Sequence, residues 1–167
     1  FVIDWLSQYD ELVINLDKLT YAGNLQNLAA VENNSNHKFV RGDIGDTQLI
    51  NQLLEAYKPR AIINFAAESH VDRSIHDPED FIKTNIVGTF RLLESIRLYW
   101  NKLKGEEKDN FRFLHVSTDE VYGSLELGAP AFTESHRYRP SSPYSASKAS
   151  SDFIVRAYHL TYGIPVL

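Results

Sequence analysis

The sequence contains no cysteine and no methionine, and its histidines lack the spacing of a metal site. Without a thiol the chain can form no disulfide, use no cysteine nucleophile and bind no zinc through cysteine. The six histidines show neither HExxH nor HxH spacing, which are the patterns expected of a histidine-built site. We therefore expect no metal site.

Long apolar runs and an excess of positive charge are also missing. No apolar stretch approaches the ~18 residues of a membrane span, and the net charge of −5 argues against a nucleic-acid surface. Hydrophobic residues make up 43% and charged residues 23% of the 167 residues, which is typical of a globular domain. We expect one domain with no membrane and no nucleic-acid partner.

Both ends of the sequence resemble the middle of secondary-structure elements. Phe1, Val2, Trp5 and Leu6 lie at helical spacing, so the chain is predicted to begin inside a helix. The last residues, IPVL, resemble a strand that has just begun. We interpret residues 1–167 as one domain of a longer protein, incomplete at both ends.

Predicted strands alternate with predicted helices. The strands cover 11–17, 37–43, 60–69 and 111–123, with a further one starting at 164. The helices cover 24–32, 47–58, 78–103 and 142–163, and the polar segment 104–110 is interpreted as a linker. This alternation predicts an α/β fold with a parallel sheet, in which ligands bind beyond the carboxyl ends of the strands.

A tyrosine and a lysine stand four residues apart in SPYSASKASSD, residues 142–152. On a helix Tyr144 and Lys148 share one face, and a nearby ammonium lowers the pKa of a phenol. The pair could then move a proton to or from a substrate hydroxyl. The alternative is a chance pair on a surface helix, although the small residues around it would let a flat ligand approach closely.

The strand predicted at 111–123 ends in Ser117, Thr118, Asp119 and Glu120. This sequence places hydroxyls and two carboxylates at the carboxyl edge of the sheet. Taken alone, the cluster could be a helix N-cap and turn, because serine, threonine and aspartate favour caps. Its predicted position beside the Tyr144–Lys148 pair favours a catalytic role.

Acidic residues follow two other predicted strands. Asp17 could accept hydrogen bonds from both ribose hydroxyls of NAD and repel a 2′-phosphate, or it could form an Asx turn. Asp43 could meet an adenine amino group, or it could cap the helix that follows.

Five motifs together resemble the extended short-chain dehydrogenase/reductase family and, within it, the nucleotide-sugar 4,6-dehydratases. They are DKLTYAGN (17–24), AAESHVDRSI (66–75), TNIVGT (84–89), STDEVYG (117–123) and SPYSASKASSD (142–152). The Asp-Glu pair after Ser-Thr discriminates most, because simple 4-epimerases need no such pair. The resemblance implies a Rossmann-like, doubly wound parallel sheet, NAD as a retained cofactor, a cytoplasmic homodimer and dTDP-glucose as the substrate.

The resemblance also implies a role for each residue of the site. Tyr144, assisted by Lys148 and Thr118, would take the proton of the sugar 4-hydroxyl while NAD accepts hydride from C4. Glu120 would remove the C5 proton, Asp119 would protonate the departing 6-hydroxyl, and the hydride would return to C6. Ser69 and Thr118 would also contact the sugar. By the same resemblance the NAD site comprises Asp17, Lys18, Leu19, Thr20, Asp43, Ile44, Phe65, Ala66, Ala67, Glu68, Ser69, Thr84, Tyr144 and Lys148.

Parts of the family pattern are missing from the sequence. The Gly-rich turn that holds a pyrophosphate and the central first strand of the 3-2-1-4-5-6 order would precede Phe1. The C-terminal substrate domain, with the pocket for the nucleotide base, would follow residue 167. A related nucleotide-sugar epimerase, a GDP-mannose-type dehydratase and a non-catalytic fragment therefore stay open as alternatives.

The helix predicted at 78–103 has an apolar arc over roughly half its circumference, wider than the ~100° stripe that one sheet face requires. We expect Leu92 and Tyr99 on the spare apolar surface. Together with the helix at 144–162, and with the family resemblance, this surface predicts a two-fold dimer.

Overall fold

The computed structural model divides into two units, Phe1–Ile44 and Gly45–Leu167. Each unit contains one pair of parallel strands. The structure describes residues 1–167. Parallel pairing requires a crossover between the paired strands, and the predicted helical segments supply it. The α/β class with parallel strands is therefore confirmed.

The first unit carries one strand pair with a short helix between its strands. Helix α1 (Val2–Gln8) precedes β1 (Val13–Asp17), a 3₁₀ helix (Leu25–Val31) and β2 (His37–Arg41). The strands pair in register from Val13 opposite His37 to Asp17 opposite Arg41. The helix predicted at 24–32 is present, but as a 3₁₀ helix, with the Asn24 side chain accepting from Gln26 N.

The second unit contains β3 (Ala61–Asn64) and β4 (Arg112–His115), paired in parallel. Both strands end earlier than predicted, because polar side chains turn the chain beyond them. Asn64 Oδ1 accepts from Ala66 N at 3.2 Å, and Thr118 begins a 3₁₀ helix (Asp119–Tyr122). The strand expected from residue 164 is reduced to a single parallel bridge between Phe113 and Val166.

Helices make up most of the rest of the second unit. They are α2 (Thr47–Tyr57), α3 (Val71–His76), α4 (Glu79–Phe81), a π-helical segment (Ile82–Gly88), α5 (Thr89–Lys102), α6 (Gly105–Asn110) and α7 (Pro143–Tyr162). The helix predicted at 78–103 thus exists as one run of α4, the π-helical segment and α5. None of the helices combines the length and apolar character that a membrane span requires.

The linker predicted at 104–110 is wrong, because this segment forms helix α6. Its first turn carries Glu106 and Glu107, whose negative charges interact favourably with the partial positive charge of a helix N-terminus. Lys108 lies over the Trp100 ring, 4.0 Å from its centroid. These local interactions stabilise a helix that the polar composition does not reveal.

Leu92 and Tyr99 lie in the core of the second unit, so the prediction that they form an exposed apolar surface is wrong. Their exposed fractions are 4% and 8%, and the Tyr99 hydroxyl donates to Pro59 O at 3.1 Å. Both side chains therefore pack inside the unit and are unavailable to a partner. The apolar side chains that the helical run does expose are Ile82, Val87, Phe90 and Leu98.

Candidate active site

Helix α7 positions Tyr144 and Lys148 one turn apart, near its amino end. The helix begins at Ser142, whose side chain accepts from Ser145 N in a capping box, and Pro143 occupies the first turn. Tyr144 is 8% exposed and Lys148 4% exposed. Their burial rules out a chance pair on a helix surface.

The Lys148 ammonium is directed at the carboxyl end of β4. Its Nζ donates to Val116 O at 2.6 Å, which uses one of the three donors of an ammonium. Burial lowers the pKa of Lys148, while the Asp152 carboxylate acts in the opposite direction. The Lys148 amine is therefore held beside the predicted catalytic cluster, with a pKa below its ordinary value.

Tyr144 is held in position by a hydrogen bond of its backbone and by packing of its ring. Its N–H donates to Ser74 Oγ at 3.2 Å, which ties α7 to α3. Its ring meets Phe81 edge to face, with 6.4 Å between centroids. A buried aromatic ring packed in this way holds one orientation, as a proton-transfer group requires.

The segment after β4 carries the hydroxyls and acids predicted for catalysis, and we name residues 117–123 the acid tip. The Thr118 side chain accepts from Glu120 N at 3.3 Å and lies 3.5 Å from Asp119 Oδ1. The N-cap interpretation of this cluster is thus confirmed. The cap uses the Thr118 side chain and the Glu120 backbone, so the carboxylates of Asp119 and Glu120 take no part in it. Asp119 is exposed and Glu120 is half-buried.

Asn85, which sequence reasoning missed, connects the segment after β3 to α7. Its side chain, 1% exposed, accepts from Glu68 N and donates to Glu68 O and Ser147 Oγ, at 2.8, 2.9 and 2.8 Å. The signal was the single amide side chain within the motif TNIVGT, which lies between Thr84 and Ile86. Asn85 therefore places the predicted Glu68 against the helix that carries Lys148.

Asp152 and His115 were also missed, and both interact with Lys148, with 13% and 4% of their side chains exposed. Burial raises the pKa of the Asp152 carboxyl, against hydrogen bonds from Ser117 and Tyr138 that lower it. Burial, together with the charge of Lys148, lowers the pKa of His115 to about 4. His115 is therefore neutral at physiological pH.

In the first unit, Asp17 lies exposed at the carboxyl end of β1. Its Oδ1 accepts from Leu19 N at 2.7 Å, which confirms the Asx-turn interpretation, and Leu19 has a positive φ of 53°. Lys18 Nζ contacts Asp43 Oδ2 at 2.8 Å. The capping role considered for Asp43 is wrong, because Asp46 caps α2 by accepting from Leu49 N.

The other predicted nucleotide-binding residues differ in exposure. Thr20, Phe65 and Ser69 are exposed, Ala66, Ala67, Glu68 and Thr84 are half-buried, and Ile44 is buried. Cavities of about 430 and 160 Å³ lie elsewhere in the second unit and are lined by no predicted site residue. The larger borders Arg112, at the amino end of β4, whereas the acid tip follows its carboxyl end.

The sequence matches the model of one protein family and is similar to several sugar-nucleotide dehydratases. The model of a family described as "GDP-mannose 4,6 dehydratase" matches residues 2–167. A dTDP-glucose 4,6-dehydratase of Xanthomonas campestris pv. campestris is 62% identical over 156 residues, which cover 93% of this chain and 44% of that protein. One from Escherichia coli is 54% identical, covering 97% of this chain and 47% of the relative.

Solved structures show the same similarity. The crystal structure of a dTDP-glucose 4,6-dehydratase from Streptomyces venezuelae with NAD bound matches with a TM-score of 0.84 at 45% identity, covering 99% of this chain and 47% of that one. A UDP-glucose 4-epimerase from Thermus thermophilus in complex with NAD matches with a TM-score of 0.81 at 28% identity, covering 99% and 48%. The chain spans about half the length of the relatives it matches.

Proposed function

The chain belongs to the family described as GDP-mannose 4,6 dehydratase, and from this premise we propose that the full-length protein converts dTDP-glucose to dTDP-4-keto-6-deoxyglucose with NAD as a retained cofactor. The observation that carries the proposal is the buried Tyr144–Lys148 pair on α7, with Lys148 hydrogen-bonded to the strand that leads into Thr118, Asp119 and Glu120. Relatives 50–62% identical to the chain bear the name of this activity.

The first half of the proposed reaction is oxidation at C4 of the sugar. Tyr144 takes the proton of the 4-hydroxyl, and the Lys148 ammonium stabilises the phenolate that does so. Thr118 hydrogen-bonds the same hydroxyl. NAD, when bound, would supply the acceptor for the C4 hydride and the donor of that hydride to C6, with a proton returned to C5.

The second half is loss of water across C5 and C6. A 4-keto group acidifies the C5 proton, which Glu120 removes, while Asp119 protonates the 6-hydroxyl as it leaves. Two adjacent carboxyls in different surroundings suit this division between base and acid; Glu120 is half-buried and Asp119 exposed. A simple 4-epimerization uses neither group, which favours dehydration over the epimerase alternative.

The residues present fit a dinucleotide with unmodified ribose. Asp17 uses one carboxylate oxygen for the Leu19 amide, so its other oxygen suits a ribose hydroxyl and repels a 2′-phosphate. Lys148 has donated one hydrogen bond, so further ammonium donors suit a second ribose. The proposed NAD site keeps the residues named from the sequence, with Ser69 and Thr118 at the sugar.

The proposal extends to the organisation of the protein. Residues 1–167 form the incomplete NAD-binding part of a cytoplasmic enzyme that acts as a homodimer. Support for the dimer comes from the apolar side chains exposed on α5 and α7.

The test uses the full-length protein with dTDP-glucose and NAD in deuterium oxide. We expect a nucleotide sugar that has lost one water and gained deuterium, identified by mass spectrometry and NMR. In single turnover, Glu120→Gln should still reduce NAD but stall before water is lost, so that reduced cofactor and a 4-keto sugar with its 6-hydroxyl accumulate.

Other outcomes would identify the alternatives. Inversion at C4 without loss of water would indicate an epimerase, and preference for GDP-mannose would indicate the other dehydratase. No turnover of any of these substrates would contradict an enzymatic role, and a Glu120→Gln variant that fails at hydride removal would contradict the assignment of Glu120.

A further inference from the structure

We propose that Asp152 is a positioning residue of this site, whose single half-buried carboxylate holds the acid tip and the loop residue Tyr138 against α7, one helical turn beyond Lys148. The inference rests on the proposed function for its consequence in catalysis, but its geometric part stands independently. None of the roles assigned from the sequence involves Asp152.

One oxygen of Asp152 joins three segments that are distant in the sequence. Oδ2 accepts from Ser117 Oγ at 2.5 Å and from the Tyr138 hydroxyl at 3.0 Å. Ser117 directly precedes Thr118, and Tyr138 belongs to the segment that returns from the acid tip to α7. Hydrogen bonds to a charged acceptor are stronger than neutral ones, so this oxygen fixes both segments.

The other oxygen faces a histidine whose tautomer is set by its neighbours. Asn64 Oδ1 accepts from Ala66 N, so the Asn64 Nδ2 group is turned to His115 Nδ1, 3.2 Å away. Nδ1 must then accept, and His115 Nε2 carries the proton. That N–H is directed to Ser151 Oγ at 3.2 Å and to Asp152 Oδ1 at 3.5 Å.

Burial raises the pKa of Asp152, while the hydrogen bonds from Ser117 and Tyr138 and the charge of Lys148 lower it. Lys148 lies one turn earlier on the same helix, and the two groups interact electrostatically. Oδ1 is buried without a hydrogen bond of its own. A buried carboxylate is costly unless it is paired and hydrogen-bonded, and the two hydrogen bonds at Oδ2 together with the charge of Lys148 offset that cost.

This arrangement couples the proton-transfer pair to the acid tip. Tyr144, Lys148 and Asp152 recur every fourth residue on α7, and Asp152 attaches the first residue of the acid tip to that helix. Loss of the carboxylate would free Ser117 from α7, and Glu120, three residues later, would no longer be held in its position. Misplacement of a catalytic group by about 1 Å can cost on the order of 100-fold in rate.

The experiment compares the full-length protein with Asp152→Asn, Tyr138→Phe and, as a matched control, Asp72→Asn, an exposed aspartate on α3. For Asp152→Asn we expect kcat for dTDP-glucose, per NAD-binding site, to fall by at least about tenfold while KM changes by less than about threefold. Tyr138→Phe should lower kcat by a smaller factor, and Asp72→Asn should leave both constants unchanged. Equal kcat in Asp152→Asn and the unmodified protein would overturn the proposal.

Hydrogen exchange separates this inference from the proposed function, because it needs no substrate. Backbone amides of 117–123 should exchange at least about tenfold faster in Asp152→Asn, while those of α2 keep their rates. Faster exchange in a protein without dehydratase activity would support the positioning role and reject the function. Unchanged exchange at 117–123, or equal acceleration in α2, would overturn the positioning role.

Discussion

Asp17 combines two features at the end of β1: its carboxylate is exposed, and one of its oxygens is held by the Leu19 amide. The side chain therefore presents a fixed negative charge where a ribose would bind. We expect NAD to bind the full-length protein at least about tenfold more tightly than NADP, since a 2′-phosphate would meet like charge. Isothermal titration with both cofactors measures this ratio.

Asp17→Ser should reduce the preference for NAD by removing the repulsion. If NADP binds the unmodified protein as tightly as NAD, the role of Asp17 is wrong. A preference that survives Asp17→Ser would place the discrimination at another residue.

For single residues, the sequence predicts interactions only between side chains that are a few positions apart in the chain. Tyr144 and Lys148 could be paired because helix geometry places residues four apart on one face. Asp152 binds Ser117, 35 residues away, and His115 binds Asn64, 51 residues away. No spacing rule predicts such partners, because they depend on how β3, β4 and α7 pack.

Among the elements, the helical run from Glu79 to Lys102 is regular except at its π-helical segment, which carries Asn85. Asn85→Ala would leave Glu68 N, Glu68 O and Ser147 Oγ without the partner that the amide provides. Since a buried group left unpaired costs about 1–3 kcal/mol, we expect the free energy of unfolding to fall by roughly 2 kcal/mol or more. Urea denaturation followed by circular dichroism measures it.

Asn101→Ala is the matched control, because Asn101 lies exposed on α5. Its effect should stay within about 0.5 kcal/mol. Equal stability of the Asn85 and Asn101 variants would show that the buried amide does not stabilise the fold.

The long elements were predictable and the short ones were not. Helices α2 and α7 end where Lys58 and Gly163 adopt positive φ, 44° and 77°, and the Pro59 and Gly163 signals were visible in the sequence. Helix α6 escaped detection because six polar residues carry no apolar period. The strands are shorter than predicted because Asn64 and Thr118 bind nearby backbone and end the ladder.

At the scale of the whole molecule, apolar side chains exposed on the helical run 79–102 and on α7 suit association with a second copy. Val87 in the π-helical segment and Phe90 on α5 are 38% and 45% exposed, and Ala157 on α7 is also exposed. Beside them, the Tyr158 hydroxyl donates to Glu94 at 2.6 Å. An apolar patch with a polar border is typical of an interface.

We expect Phe90→Glu combined with Ala157→Glu to convert a full-length dimer into monomers, because both charges would be buried at the seam. Light scattering of the purified protein measures the mass. Leu127→Glu is the control, since Leu127 is fully exposed in the segment between the acid tip and α7. An unmodified protein that is already monomeric at micromolar concentration would end the dimer proposal.

The recurrence of Tyr144, Lys148 and Asp152 at every fourth position of α7 has a consequence for how the gene can change. A substitution alters one of these groups and leaves the other two in place. Insertion or deletion of a single codon between positions 144 and 152 would instead rotate the helix on one side by about 100° relative to the other. An insertion before Lys148 would separate it from Tyr144, and one after Lys148 would separate it from Asp152, so either would break the row of three groups and the length of this segment is constrained as its residues are.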